Sequence, residues 1–345
     1  MGVDLGDISI KRPITLEMLS GKQVAIDAFN TLYQFLASIR QEDGTPLQDS
    51  HGNITAHLSG LFYRTSKLIE SGIKPIYVFD GKVPEFKFKK RLEREQTKKD
   101  AEEKWKKALE EERYEDAKKF AQATSRLTHE MVDESKELLK AMGIPVVQAP
   151  SEGEAQASMM VENGEAYASA SQDYDSLLFG SPRLVRNINI TGKRKVPRQN
   201  RFINIEPEEI ILKETLEALG VSREQLIIVG ILVGTDFNEG VMRVGPKTAL
   251  KIVKERKTFD EVKGHVREKY NYEFEKNIDE VYDFFMNPPH EKTGKLKAGR
   301  LDENRIKTIL CEKHEFSEER IERVMEKIKN AVLESNSQSK LDNWF

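Results

Sequence analysis

Four short apolar runs separated by helical patterns constrain the fold of this chain more than any other feature. The runs are residues 23–28, 75–80, 144–148 and 165–170, and helical periodicity covers residues 54–70 and 130–142 between them. Strands that alternate with helices form a parallel sheet that is covered on both faces. The predicted fold class is therefore α/β, with a mostly parallel central sheet. From residue 206 onward helical patterns dominate without a clear strand, which predicts a C-terminal helical region packed against the sheet.

Charge and cysteine content exclude several classes of protein. One third of the 345 residues are charged, yet the net charge is only -3, so a surface for polyanions has to be local. A single cysteine, Cys311, excludes an internal disulfide and a zinc site built on several thiolates. No apolar run reaches the roughly 18 residues of a membrane span, and no signal-peptide pattern begins the chain. We expect a soluble, cytoplasmic protein of two or three domains with no membrane partner.

Acidic residues follow all four predicted strands, and another follows a later apolar run. In doubly wound sheets the functional crevice lies beyond the carboxyl ends of the strands, so acids distant in sequence are expected to meet there. Asp173 and Asp175 stand two residues apart in what reads as extended chain, which predicts that both face one site. The candidates are Asp27, Asp80, Glu152, Glu154, Asp173, Asp175 and Asp236.

Seven carboxylates in one crevice would repel each other unless cations balance them. With no His or Cys among the candidates, the oxygen ligands favour Mg²⁺ or Mn²⁺ over Zn²⁺. Two such ions about 4 Å apart can activate a water and stabilise the leaving oxygen of an in-line phosphoryl displacement. Phosphodiester hydrolysis is the predicted chemistry.

Each acid also has a simpler interpretation. Ser151 and Glu154 fit the capping-box pattern of a helix start. Asp27 and Asp80 can be ordinary turn residues at strand ends, and Asp236 can form an Asx turn in a Gly/Asn loop. The metal interpretation depends on the recurrence of all of them at one edge of one sheet.

Two basic segments accompany the acids. The first, residues 86–99, follows Asp80 and continues into a helix that is polar nearly all round; it is either a solvated surface helix or a grip on phosphates. The second, residues 183–201, carries a Thr191-Gly192 turn that predicts a hairpin, and either solubility or contact with a nucleic-acid backbone explains its charge. The basic residues are Lys87, Lys89, Lys90, Arg91, Arg94, Lys98 and Lys99 in the first segment, and Arg183, Arg186, Lys193, Arg194, Lys195, Arg198 and Arg201 in the second.

Two further motifs point to binding. Residues 240–250 read as a helix–turn–helix corner, in which Gly245, Pro246 and Lys247 begin a helix whose backbone N–H groups suit a phosphate. The chain ends in QSKLDNWF, where apolar anchors at one-turn helical spacing suit a groove on a partner or a site on their own domain. The residues at this spacing are Gln338, Leu341, Trp344 and Phe345.

These motifs together resemble those of a known family. The blocks MGVDLGDI, VAIDAFNTLYQFL, VFDGKVPEFK, APSEGEAQA, SQDYDSLLFG and GTDFNEG are similar in order and spacing to those of the archaeal flap endonucleases of the structure-specific 5′-nuclease superfamily, from residue 2 to about residue 250. The C-terminal octapeptide resembles the peptide by which these enzymes dock on a sliding clamp of the PCNA type. The resemblance implies a monomeric Mg²⁺-dependent 5′ flap endonuclease and 5′-3′ exonuclease that acts on branched duplex DNA during Okazaki fragment processing and repair, and that the clamp stimulates.

The resemblance also implies roles for individual residues. The seven acids bind two Mg²⁺ ions, with Mn²⁺ as a substitute, and Lys87 and Arg94, at the foot of a helical arch over about residues 86–127, contact the phosphate that is cut. Tyr33 stacks on the terminal base and Gly2 lies close to the active site. Further DNA contacts fall on Lys89, Lys90, Gly245 and Lys247. One position departs from the family pattern G-I-G-P-K, because Arg243 replaces its first glycine and so changes the requirements of the turn and of the monovalent ion often held there.

The sequence predicts four regions. They are an N-terminal nuclease region over 1–127, an internal nuclease region over 128–256 with the helix–turn–helix at about 234–255, a helical extension over 257–333, and a flexible clamp-binding tail over 334–345. Two rival functions remain open at this stage. One is a non-catalytic scaffold for branched DNA that recruits the clamp, and the other is a phosphohydrolase for small molecules.

Overall fold

The structure, a computed structural model, describes residues 2–41, 43–190, 193–195 and 202–341. Its strands are β1 (Arg12–Pro13), β2 (Gln23–Asp27), β3 (Lys74–Phe79), β4 (Val146–Gln148), β5 (Ala168–Ala170), β6 (Arg183–Arg186), β7 (Lys193–Lys195), β8 (Phe202–Asn204) and β9 (Glu208–Ile211). Its helices are α1 (Ala28–Ser38), α2 (Ala56–Glu70), α3 (Phe88–Glu110), α4 (Tyr114–Gln122), α5 (His129–Ala141), α6 (Gly153–Glu162), α7 (Asp175–Leu178), α8 (Leu212–Leu219), α9 (Arg223–Val233), α10 (Pro246–Arg256), α11 (Phe259–Tyr270), α12 (Ile278–Met286), α13 (Glu303–Lys307) and α14 (Glu318–Leu341).

Seven strands form one sheet in the order β1-β9-β6-β5-β2-β3-β4. The pairs from β6 through β5, β2 and β3 to β4 are parallel, and only the pairs that involve β9 are antiparallel. Both faces are covered: Val24 and Ile26 of β2 pack with α1, α2 and α5, whereas Ala25 packs with α6 on the opposite face. The predicted α/β fold class with a mostly parallel sheet is confirmed.

The antiparallel edge of the sheet contradicts the prediction that no strand follows residue 206. Residues 208–211 form β9, which pairs with β6 and with the two-residue strand β1. Two cross-strand ion pairs hold it: Arg186 Nη1 lies 2.5 Å from Glu208, and Arg183 pairs with Glu209. Because these partners lie more than twenty residues away, the local pattern of the segment could not reveal the strand. The same ion pairs give Arg183 and Arg186 a structural role.

The predicted hairpin in the second basic segment is present but placed differently. Strands β7 and β8 pair antiparallel, with Lys193 opposite Asn204, so both strands of the pair follow Thr191-Gly192 in the chain. The residues at 191–192 and 196–201 lie outside the described residues.

The C-terminal region packs on the sheet domain, as predicted. Ile306, Leu310 and Met325, from α13, the π-helical turn Thr308–Glu312 and α14, join the apolar core beneath α2 and α5. Polar contacts add to this, since the imidazole of His314 lies 3.1 Å from Asp49 and 3.0 Å from Glu134. Helix α14 continues without a break past residue 334 to Leu341, where a flexible tail was expected. No helix in the described part of the chain is both long and apolar enough to cross a membrane.

Candidate metal and nucleic-acid site

The seven predicted carboxylates occur where elements end or begin at one edge of the sheet. Asp27 is the last residue of β2, and Asp80 directly follows β3. Glu152 is the N-cap of α6, while Glu154 lies in its first turn. Asp173 stands between β5 and α7, Asp175 is the first residue of α7, and Asp236 follows α9.

Backbone N–H groups orient the carboxylates of Asp27 and Asp80. Asp27 accepts a hydrogen bond of 3.0 Å from the backbone N–H of Asn30 and so caps α1. Asp80 accepts one of 2.7 Å from Gly153, which ties the end of β3 to the start of α6. A Cβ atom at position 153 would lie 2.9 Å from the Asp80 carboxylate, so glycine is required for this approach. Asp27 therefore has the local role that its simpler interpretation gave it and also belongs to the acid cluster.

Asp173 and Asp175 approach the cluster by a different geometry from the one predicted. The chain bends at residues 172–174 and Asp175 already belongs to α7, so the pair does not stand on extended chain. Asp173 accepts a hydrogen bond of 3.0 Å from the side-chain amide of Asn30, and Asp175 accepts one of 2.7 Å from the backbone N–H of Val3. The bend and these donors, rather than strand alternation, bring the two carboxylates to one site.

Glu154 does not form the capping box that its spacing from Ser151 suggests. Its carboxylate accepts hydrogen bonds from the backbone N–H and the hydroxyl of Ser176, at 2.9 and 2.6 Å. The N-cap position of α6 belongs to Glu152, which makes no side-chain capping bond. Glu154 is thus held toward α7 and the Asp173–Asp175 pair.

Two cations from the helix that follows Asp80 reach into the acid cluster. The ammonium of Lys87 lies 2.5 Å from Glu152 and 5.4 Å from the ring centre of Phe237. The guanidinium of Arg94 pairs with Asp236. This segment is therefore not merely a solvated surface helix, because its first turns carry the counter-charge of the carboxylates.

Burial and mutual repulsion raise the pKa of the carboxyl groups. Burial and then Glu152 raise the pKa of Asp80 to about 7, and burial, Asp236 and Asp173 raise the pKa of Asp175 to about 8. The pKa of Asp27 and of Glu154 also lies well above the ordinary value, first because of burial and then because of neighbouring carboxylates. For Lys87, burial is outweighed by Glu152, Asp80 and Asp236, so its pKa is raised and it stays charged.

These features fit a bound cation. The donors are oxygens only, which suits hard divalent ions, and additional positive charge would relieve the repulsion that raises the pKa values. Across the described residues, however, no group of three or more His, Cys, Asp or Glu side chains converges as a ready-made metal-ligand set. Lys87 and Arg94 already pair with two of the carboxylates, so a metal ion that bound here would replace these contacts.

The N-terminus closes one side of the cluster. A Cβ atom at Gly2 would lie 2.6 Å from an oxygen of Asp175 and 2.9 Å from the Cβ of Asp173, so a larger residue does not fit there. Tyr33, on α1, has 38% of its surface exposed, and the ammonium of Lys98 lies 5.4 Å from its ring centre. The structure thus leaves Tyr33 accessible to a base.

The segment predicted to form a helix–turn–helix, at about 234–255, follows α9 and includes most of α10. Gly245 is the N-cap of α10 and Pro246 its first residue. Lys247 is exposed, and its ammonium lies 3.6 Å from Asp7. Among the arch residues, Lys90 pairs with Glu93 at 3.4 Å, while the side chain of Lys89 lies outside the described part of the chain.

Arg243 keeps the backbone conformation that glycine would adopt, since its φ is +66°. We expect Arg243→Gly to raise the free energy of unfolding by about 1 kcal/mol, because an L residue is disfavoured in this conformation. Denaturant unfolding would measure the change. Met242→Gly, at the exposed neighbouring position where no positive φ occurs, should give no gain. Equal effects of the two variants would contradict the prediction.

The clamp-binding residues are described only in part. Gln338 and Leu341 belong to the last turns of α14, with side chains outside the described part, and Trp344 and Phe345 lie beyond it.

Sequence reasoning missed the residues that orient the carboxylates. Asn30 contacts Asp173 through its amide and Asp27 through its backbone, and Ser176 holds Glu154. The spacing of Asn30, three residues after Asp27, is a helix-capping signal that could have located it. No local signal marked Ser176, since its partner lies in another helix.

Comparison with known proteins places these features in a family context. Residues 5–101 match the model of the XPG N-terminal domain, and residues 143–236 match that of the XPG I-region. A flap endonuclease 1 of Thermococcus onnurineus is 51% identical over all of this chain and 99% of its own length. That of Aeropyrum pernix is 50% identical over the full length of both chains.

Solved structures agree with these matches. Flap endonuclease-1 from Methanococcus jannaschii superposes with a TM-score of 0.75 at 40% identity, over 96% of this chain and 99% of that chain. The catalytic core of Rad2 in complex with DNA substrate gives a TM-score of 0.71 at 23% identity, over 95% of this chain and all of that chain, and at this identity it supports the fold alone.

Proposed function

Because the chain belongs to the flap endonuclease 1 family, and is therefore a metal-dependent, structure-specific 5′ flap nuclease that acts on DNA, we propose that its seven clustered carboxylates bind the metal ions of the reaction. We further propose that Lys87 and Arg94 bind the phosphate that is cut. One observation supports the second assignment above the others: both cations already reach the acid cluster. A phosphate placed there can accept the same two side chains.

The donor set suits two Mg²⁺ ions, which Mn²⁺ can replace. When bound, such ions supply positive charge at the attacking and leaving oxygens of a phosphodiester. The residues of the chain hold the carboxylates in place through second contacts: Asn30 on Asp173, Ser176 on Glu154 and Gly153 on Asp80. Lys87 and Arg94 stabilise the charge that develops on the phosphate.

Recognition of the DNA is assigned to surfaces that read shape rather than sequence. Tyr33 offers an exposed ring on which a terminal base can stack, whatever its identity. Gly2 lies close against Asp175, where no larger residue fits, and the sequence adds positive charge at the foot of the arch with Lys89 and Lys90. At the start of α10, Gly245 and Lys247 suit a phosphate of the duplex. We assign the chain to 5′ flap removal and 5′-3′ exonuclease action in replication and repair.

A substrate panel tests this function. Labelled 5′ flap, nicked, gapped and bubble duplexes are incubated with Mg²⁺, with Mn²⁺ and with a chelator. Incision at the flap base with either ion, weaker action on the other substrates and no cleavage with chelator is the expected result. p-Nitrophenyl phosphate serves as a small phosphoester control. Hydrolysis of this control without flap cleavage would overturn the proposal.

The C-terminal segment 334–345 is assigned to clamp binding through Gln338, Leu341, Trp344 and Phe345. We expect deletion of residues 338–345 to abolish stimulation by a sliding clamp while basal flap cleavage stays within about twofold, since α14, to which residues 338–341 belong, contributes none of the seven carboxylates. Initial rates with and without clamp measure both effects. Ser339→Ala, inside the octapeptide but between the anchors, is the control that should keep stimulation. Stimulation that survives the deletion would refute the assignment.

A further inference from the structure

The helical arch, formed by the turn Glu85–Lys87 with α3 and α4, has apolar packing at its foot, where Phe86 contacts Phe237 and Phe284, but large apolar side chains farther along it are exposed. Phe88, Leu92 and Tyr114 are 64%, 57% and 56% exposed. Among the described side chains of α3, the buried ones are the small Ala101 and Ala108, and α3 packs mainly against α4. A helix pair of this kind depends on a small number of specific contacts for its placement.

One set of contacts, at the start of α3, is ionic and joins the arch to the acid cluster. It consists of the Lys87–Glu152 and Arg94–Asp236 pairs. The inference that follows depends on the proposed function, in which Lys87 and Arg94 bind the phosphate and the carboxylates bind metal ions. In the working complex this set of contacts is therefore exchanged, and it cannot be what holds the arch in place.

A second set of contacts lies at the other end of α3. The indole N–H of Trp105 donates a hydrogen bond of 3.3 Å to the backbone carbonyl of Asp43. Gly44 lies directly against the arch: a Cβ there would come within 2.8 Å of the Cβ of Ala121 and 3.3 Å of the indole nitrogen of Trp105. The φ of Gly44 is +88°, which independently favours glycine. The positive φ and the close contacts both require glycine at position 44, and glycine allows the arch to approach this closely.

Arg40 completes the second set. Its guanidinium donates to the carbonyl of Gly44 at 2.8 Å and to the hydroxyl of Ser125, just after α4, at 2.9 Å. Its Nε donates to the carbonyl of Leu36 in α1 at 3.0 Å. All of these acceptors are neutral, so neither metal ions nor phosphate compete for them. They connect the arch to α1, the helix that Asp27 caps and that carries Asn30 and Tyr33.

We propose that Arg40, Asp43, Gly44, Trp105 and Ser125 form an arch anchor, which keeps α3 aligned with the acid cluster after Lys87 and Arg94 have exchanged carboxylates for phosphate. Trp105 is in this assignment a positioning residue: it touches no substrate and acts through the placement of Lys87 and Arg94. The expected signature is a loss of cleavage rate without a matching loss of DNA affinity, because misplacement of reacting groups by about 1 Å can cost about a hundredfold in rate.

The first experiment compares Trp105→Ala with Trp105→Phe in the full-length protein. Single-turnover cleavage of a 5′ flap should fall by about 10- to 100-fold in Trp105→Ala, while the dissociation constant for the flap stays within about threefold. Trp105→Phe, which keeps the ring against Gly44, should retain a rate within about threefold of the parent. Tyr114→Ala, at an exposed aromatic of the same arch, is the matched control and should cleave normally. Equal rates for Trp105→Ala and Tyr114→Ala would overturn the proposal.

A double-mutant cycle distinguishes positioning from general damage to the fold. In a Lys87→Ala, Arg94→Ala background, Trp105→Ala should change the rate by less than about threefold, because the groups that it positions are gone. A full 10- to 100-fold effect in that background would contradict the anchor. If Lys87→Ala loses activity but Trp105→Ala cleaves normally, the anchor is refuted and the proposed role of Lys87 stands. If the Lys87→Ala, Arg94→Ala protein cleaves normally, the proposed role of these two cations is refuted.

Gly44→Ala provides a second perturbation from the opposite side of the contact. It should lower the cleavage rate without a matching loss of DNA affinity, because the added methyl group displaces Ala121 and Trp105. Gly52→Ala is the control, since Gly52 also has a positive φ, +85°, but no neighbour within 4 Å of an added Cβ. The same rate loss in both variants would assign the effect to backbone strain and overturn the anchor.

Discussion

Asp173→Asn is expected to lower the single-turnover rate of flap cleavage by about a thousandfold or more, while the dissociation constant for flap DNA stays within about threefold. The loss corresponds to about 4 kcal/mol of transition-state stabilisation, the scale on which a bound metal ion contributes. Asparagine keeps the shape of the side chain and can still contact Asn30, so the change removes charge and little else. Rapid-quench kinetics and a binding titration in Ca²⁺ would measure the two quantities.

Asp173 is a cleaner target than its neighbour. Asp175 accepts the backbone N–H of Val3 and closely contacts the position of Gly2, so its replacement also releases the N-terminus. Asp4→Asn, at an exposed acid of the same N-terminal segment, is the control and should cleave normally. In a chelator, Asp173→Asn should not lower the free energy of unfolding, because it removes a charge that raises the pKa of Asp27, Glu154 and Asp175. Near-normal cleavage in Mg²⁺ would remove Asp173 from the metal site.

The sequence predicted the candidate site best where a residue's position follows from the fold itself. Asp27 and Asp80 end parallel strands, and the carboxyl ends of such strands meet at one edge whatever the connecting loops do. The prediction was right about the place of Asp173 and Asp175 but wrong about their geometry, because a bend at residues 172–174 replaces the extended chain. A bend of this kind is fixed by distant donors such as Asn30 and Val3, which no local pattern encodes.

The parts of the fold that the sequence missed depend on partners far along the chain. Strand β9 reads locally as the start of a helix and becomes a strand through the ion pairs of Glu208 and Glu209 with β6. Arg243 has a φ of +66°, a backbone conformation that its residue type does not predict. Helices with strong periodicity, such as α2 and α5, were predicted to within two residues because their burial pattern is local.

Lys87→Ala is expected to lower the single-turnover rate by about a hundredfold, with flap affinity reduced by less than about fivefold. Removal of one preorganised group that stabilises developing charge costs on this scale. The ammonium of Lys87 already forms an ion pair with Glu152, so little reorganisation is needed when a phosphate takes the place of that carboxylate. Lys106→Ala, which removes an exposed charge from the same helix, is the control and should retain the parental rate.

The pH dependence separates this role from proton transfer. Because Glu152, Asp80 and Asp236 together raise the pKa of Lys87 above its ordinary value, the ammonium is charged throughout the neutral and mildly alkaline range. The ratio of parental to Lys87→Ala rates should therefore be constant between about pH 7 and pH 9. A ratio that falls toward one as the pH rises would mean that Lys87 loses its proton in this range, as a general acid does.

Stability in chelator adds an independent test of the same residue. Lys87 lowers the pKa of Asp80 against the effect of burial, so its removal leaves the carboxylates with less counter-charge. Lys87→Ala should then unfold more easily than the parent without metal, and Mg²⁺ should restore part of the difference, because ions binding the folded state take over the neutralisation. Asp173→Asn should show the opposite sign without metal. The two substitutions should change the free energy of unfolding in opposite directions only if charge balance, rather than side-chain packing, determines the stability of this cluster.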